Sequence, residues 1–165
     1  MKPTKIILHH SLTADSGTVS WGAIRRYHTS YAYRGKIIKR SDAESLIEQK
    51  KRVKMPWSDI GYHFGVELVG GFTEVLLGRM PDVSGAHCKG RNGGSLGVCF
   101  VGNFDKEPVP KTAWDKGIVL VRYLMAQYDM KIDDVDPHSK FAPWKSCPGK
   151  LFNVEEFKRE LCEET

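Results

Sequence analysis

The chain has 165 residues and carries 25 Lys and Arg against 20 Asp and Glu, a formal net charge of +5. Its length fits one domain, and a 41% hydrophobic fraction is that of a folded globular protein and excludes a disordered or fibrous one. No stretch approaches the ~18 apolar residues of a membrane span, and the opening Met1-Lys2-Pro3-Thr4-Lys5-Ile6-Ile7-Leu8-His9-His10 has too short an apolar run for a secretory signal peptide, so cytoplasmic synthesis is expected.

Lys5 to His9 reads as a buried strand running into a histidine pair. Thr18 is placed to cap a helix on which Trp21, Ile24, His28 and Tyr31 share a face. Ser41-Asp42-Ala43-Glu44 has the capping-box pattern and predicts a short surface helix through Leu46 and Ile47. Ile60 to Leu68 and Phe72 to Leu77, joined by Gly70-Gly71, predict a β-hairpin. A Gly- and Ser-rich loop from Ser84 to Ser95 leads into a second buried strand, Leu96 to Val101. Thr112-Ala113-Trp114-Asp115 then has the capping pattern for a long helix with Trp114, Ile118, Val121, Met125 and Tyr128 on one face. Asp136-Pro137-His138 is read as loop, and Val154 to Cys162 as a closing helix. The class is α/β: one domain over residues 1–165, a central mixed sheet of about five strands and three to four flanking helices.

Three groups carry candidate chemistry: His9-His10 at the end of the first strand, Gly61-Tyr62-His63-Phe64 in the hairpin, and His138 followed by Cys147. Imidazole and thiolate are ligands preferred by zinc, and three protein ligands with one open position is the catalytic pattern. A structural zinc site would want a tight Cys-x-x-Cys pair, and the sequence has none. Taken alone, a histidine pair at a strand end also fits packing or hydrogen bonding. Strand alternation lets only one of His9 and His10 face a given site, and it separates Tyr62 from His63 in the same way.

The runs Ile7-Leu8-His9-His10-Ser11, Trp57-Ser58-Asp59-Ile60-Gly61-Tyr62-His63-Phe64, Gly85-Ala86-His87 with Gly97 to Phe104, and His138 to Gly149 resemble the zinc-dependent N-acetylmuramoyl-L-alanine amidases. That family includes phage endolysins and peptidoglycan recognition proteins. The resemblance implies one Zn2+ held by His9, His138 and Cys147 at one edge of the sheet, with Tyr62 and Lys145 as catalytic residues. It also places His87 along the substrate groove. Trp57 and Trp144 are candidates to stack on a sugar ring, with a core position as the alternative. Cys88, Cys99 and Cys162 are expected to be free thiols. The spacing of nine from His138 to Cys147 is one longer than the resemblance leads one to expect, which predicts a bulged loop around Phe141-Ala142-Pro143-Trp144.

The implied activity is hydrolysis of the amide between N-acetylmuramic acid and L-alanine of the stem peptide, in a monomeric endolysin that reaches the wall of a bacterium from within. A non-catalytic peptidoglycan-binding module and a cytoplasmic amidase recycling muropeptides are the alternatives. The positive charge is local. Arg34, Lys36, Lys39, Arg40, Lys50, Lys51, Arg52 and Lys54 face only Asp42, Glu44 and Glu48, so residues 34–54 hold the whole net charge and the rest of the chain is balanced. This segment departs from the family pattern and reads as a basic insertion for contact with anionic surfaces. No nucleic-acid-binding motif accompanies it, and nucleic acid is not expected as a partner.

Overall fold

The computed structural model describes residues 1–13 and 21–163. Thr18 and its expected capping role lie outside the described residues. The chain runs β1 (Lys5–His10), α1 (Trp21–His28), β2 (Ala32–Tyr33), β3 (Lys36–Ile37), α2 (Arg40–Glu48), β4 (Phe64–Val69), β5 (Phe72–Leu77), β6 (Ser95–Phe100), α3 (Lys111–Tyr128), β7 (Val135–Pro137) and α4 (Val154–Cys162). Five strands form one sheet in the order β5-β4-β6-β1-β7. The β4–β5 hairpin is antiparallel, while β4–β6, β6–β1 and β1–β7 are parallel. Among the described residues no helix is long and apolar enough to cross a membrane.

The period-two alternation of the central strands divides the molecule into two layers. Ile6 and Leu8 of β1 and Leu96, Val98 and Phe100 of β6 join Val121, Leu124, Phe157 and Leu161 of α3 and α4 in the main core. The opposite face of β6 presents Cys99, which packs with Val101, Ile60 and Trp21 under α1. His9 belongs to this second face and His10 to the first.

Several elements differ from the sequence reading. The first hairpin strand begins at Phe64 rather than Ile60: side chains take the Ile60 carbonyl and the Gly61 N–H, while the Gly61 carbonyl accepts from the loop residue Ala86. Arg79 donates to the carbonyls of Ile60, Ser84 and Asp59, and the Gly61 N–H donates to His28 Nδ1 at 3.1 Å. Neither capping pattern forms: α2 starts behind Lys39 and α3 behind Pro110, each without a side-chain cap. The acidic residues instead make i,i+4 ion pairs, Arg40 with Glu44 and Lys111 with Asp115. Helix α1 ends at His28, so Tyr31 lies beyond it. The segment read as loop at Asp136-Pro137 supplies the edge strand β7. Proline is tolerated at such an edge because no neighbour needs its missing N–H.

Residues 34–54 fold as the β2–β3 ribbon followed by α2. Arg34 and Gly35 both adopt positive φ, +49° and +79°, giving the tight turn of a two-residue hairpin. The segment is anchored where it returns. Ala32 and Lys54 exchange backbone hydrogen bonds, and Lys54 Nζ donates to the carbonyls of His28, Ser30 and Met55 while covering the rings of Tyr27 and Trp57.

Candidate active site and metal centre

The parallel strands deliver two elements of the site at their C-terminal ends. His9 stands near the end of β1, and His138 follows the last residue of β7 in a short 3-10 turn, His138–Lys140. That turn is pinned from below by Asp136, whose buried carboxylate accepts from Lys5 Nζ at 3.2 Å and Lys140 Nζ at 2.6 Å. Burial alone would raise this carboxyl; the two lysine hydrogen bonds outweigh it and hold it below its ordinary value. The loop then folds back through Phe141 and Ala142, whose N–H groups both donate to the His138 carbonyl. The Ser139 N–H to Cys147 carbonyl bond at 2.8 Å closes it, so the span from His138 to Cys147 is held as a compact turn. Asp105 holds the far side, accepting from Ser146 Oγ at 2.6 Å and the Lys150 N–H at 2.9 Å.

These supports bring His9, His138 and Cys147 together. One ligand atom from each lies within 4.8 Å of the others, all three residues are buried, and the group can hold a metal ion. Burial lowers the His9 imidazole well below its ordinary value, with His87, His138 and Lys145 adding to the effect. Burial, then Lys145, brings His138 down to about 4. Both rings therefore keep a free lone pair at neutral pH. Burial pushes the Cys147 thiol the other way, up to about 11.

A groove of about 750 Å³ opens over this group, lined by Tyr62, His87, Trp57, Trp144 and Lys145 among others. All eight residues singled out by the sequence reading line this one groove. The Tyr62 ring lies 5.2 Å from that of His9. Burial, with the Cys99 and Cys147 sulfurs adding, pushes the Tyr62 phenol well above its ordinary range, so it stays a hydrogen-bond donor in neutral solution. Trp57 is partly covered by Lys54 and His28, whereas Trp144 is 81% exposed. His63 diverges from Tyr62: it is fully buried, accepts the Gly97 N–H at Nδ1 and donates from Nε2 to the Val83 carbonyl. Cys88, Cys99, Cys147 and Cys162 are all free thiols.

Sequence reasoning misses the residues that brace the ligand-bearing loop. Asp136 was visible only as part of a loop. The Asp105–Ser146 bond joins residues 41 positions apart, with no motif to signal it.

The chain belongs to the N-acetylmuramoyl-L-alanine amidase family, whose model matches residues 1–150. Peptidoglycan-recognition protein SD of Drosophila simulans is 42% identical over 74 residues, which cover 45% of this chain and 38% of that protein. The endolysin of Escherichia phage T7 is 36% identical over 99 residues, covering 56% of this chain and 61% of the endolysin. The chain thus spans between about four-tenths and six-tenths of the length of these curated relatives. Among solved structures, the endolysine N-acetylmuramoyl-L-alanine amidase LysCS from Clostridium intestinale URNW superposes with a TM-score of 0.71 at 26% identity, covering 99% of this chain and 86% of LysCS. Drosophila PGRP-LB shares the fold, with a TM-score of 0.63, 23% identity, and coverage of 92% of this chain and 79% of its own.

Proposed function

We propose that this protein is a zinc-dependent peptidoglycan hydrolase that cleaves the amide between N-acetylmuramic acid and L-alanine of the stem peptide, acting as a phage or prophage endolysin. The observation that carries the reading is the His9, His138 and Cys147 group at the floor of the groove in a chain of this family. Its donor set fits zinc. The 3.6 Å between His9 Nδ1 and Cys147 Sγ matches the roughly 3.6 Å edge of a tetrahedron built from ordinary Zn–N and Zn–S bonds. Similarity to endolysins of phages T7 and KP32 and to LysCS supports the lytic role.

A zinc ion bound there supplies Lewis acidity and a water whose pKa falls toward ~7. The chain's own residues do the rest. Tyr62, held protonated by burial, donates its hydroxyl proton in a hydrogen bond to the oxygen of the scissile carbonyl as negative charge develops on it. Lys145 sits on the groove wall above His138 and Cys147; its ammonium adds positive charge at the same oxygen, and the proton required by the leaving amine of L-alanine passes through Tyr62 or Lys145. His87, Trp57 and Trp144 form the walls along which the glycan and peptide lie.

Residues 34–54 act as an insertion that draws the enzyme to the anionic wall or membrane surface. Its charge is presented outward: Lys36, Lys39, Arg40, Lys50, Lys51 and Arg52 are exposed.

Incubating purified sacculi with the protein, with and without a chelator, tests the reading through free stem peptides and new N-terminal alanine. Zinc-dependent release is expected. Binding to sacculi with no release would identify a binding module instead, and cleavage confined to soluble muropeptides would identify a recycling enzyme.

A further inference from the structure

We infer that His87 is a positioning residue for the metal ligand His9, fixing through one hydrogen bond both the tautomer and the rotation of its ring; the inference rests on the metal site proposed above. His9 turns Nδ1 toward Cys147 Sγ, so Nδ1 is the nitrogen that must offer a lone pair. The proton of the neutral ring then sits on Nε2, a donor in a side chain that is 1% exposed and so has no water to meet. Its partner is His87 Nδ1, 3.0 Å away. For His87 to accept at Nδ1, its own proton must lie on Nε2, which faces the carbonyl and the hydroxyl of Ser95, each at 3.4 Å. The carbonyl is a fixed acceptor, so the chain of tautomers is set at its far end by the backbone of β6.

The surroundings hold His87 in this pose. Its backbone N–H donates to Asn92 Oδ1 at 2.8 Å. Its ring lies between Gly85 and Gly97, where an added Cβ would stand 2.5 and 2.6 Å from ring atoms. The space is therefore shaped to the imidazole on both sides. The ring meets His9 edge-on, at 88° with centroids 5.0 Å apart. His63, the other histidine beside it, spends both nitrogens on Val83 and Gly97 and does not compete for the His9 proton. Without His87, His9 is free to present either nitrogen, and its affinity for the ion falls because the ligand is no longer pre-oriented.

The test compares His87→Leu, which fills the space without an acceptor, with His87→Asn, whose Oδ1 falls near the position of Nδ1. Zinc dissociation constants are read by chelator competition on the full chain, and the visible spectrum of the cobalt(II)-loaded protein reports the ligand geometry. His87→Leu is expected to weaken zinc binding by about tenfold to hundredfold and alter the cobalt spectrum, with His87→Asn recovering most of both. Metal-free melting temperatures show whether each variant is folded. If His87→Leu binds zinc within about twofold of the native protein, or if the two variants lose affinity equally at equal melting temperature, the positioning role is overturned. A native protein that fails to bind zinc would instead overturn the metal site itself.

Discussion

The backbone N–H of His10 points at Cys147 Sγ from 3.4 Å, across 137 positions of sequence. This bond and the nearby Lys145 favour the thiolate, yet burial prevails and holds the thiol up to about 11. The sulfur therefore keeps its proton in neutral solution until a cation displaces it.

Zinc uptake near pH 6, where a metal-bound water of pKa ~7 keeps its proton, is accordingly expected to release about one proton per ion, from Cys147, because His9 and His138 are already neutral there. Titration calorimetry in buffers of different ionisation enthalpy measures the number. Release of two protons would contradict the assignment, and Cys147→Ser should abolish tight binding.

Stability of the metal-free protein should depend on acid. Burial is the first cause that brings His28 to about 4, His87 to about 3 and His138 to about 4, whereas histidines of the unfolded chain titrate near ~6.5. Between those values the unfolded state binds protons that the folded state refuses, so stability is present above pH ~6.5 and is lost as pH falls through ~4. Melting temperatures of the chelated protein should be level above pH ~7 and decline steadily below it. A level profile down to pH ~4.5 would contradict the burial of these rings.

Tyr62→Phe and Lys145→Met are each expected to lower kcat by roughly 10²–10³-fold, the cost of removing one donor from a developing oxyanion. KM and zinc content should change little, since neither side chain belongs to the ligand group. The variant whose pH–rate profile loses its alkaline limb identifies the group that passes the proton to the amine.

How much of this was legible depended on how local each signal is. The strands β1 and β6 and the helix α4 carry their signal in adjacent residues and are legible by pattern, whereas the set His9, His138 and Cys147 comes from the family resemblance, since spacing alone leaves packing open as a reading of the histidines. The capping boxes around Ser41 and Thr112 failed because their acidic residues found lysine and arginine partners one helical turn away. Strand β7 escaped because three residues ending in proline carry no periodicity, and it exists only by pairing with β1. Alternation correctly separated Tyr62 from His63 but said nothing of His87, whose bond to His9 joins residues 78 positions apart.

Charge on the 34–54 segment should govern capture rather than turnover. Replacing Lys36, Lys39, Lys50, Lys51 and Arg52 together by glutamine is expected to weaken sacculus binding at low salt by about tenfold and to flatten its salt dependence. Hydrolysis of a small soluble muropeptide should be unchanged. Equal binding of native and neutralised protein across a salt series would leave this face as a merely solvated surface.

The ligand group joins position 9 to positions 138 and 147, so a bound ion closes a ring around nearly the whole polypeptide. Its binding energy acts only on the native arrangement of the first strand against the last loop, and the gain grows with free ion concentration. On the proposed reading the ion would be a clasp as well as a reagent, and the chelated chain is expected to be digested by protease faster than the zinc-loaded one.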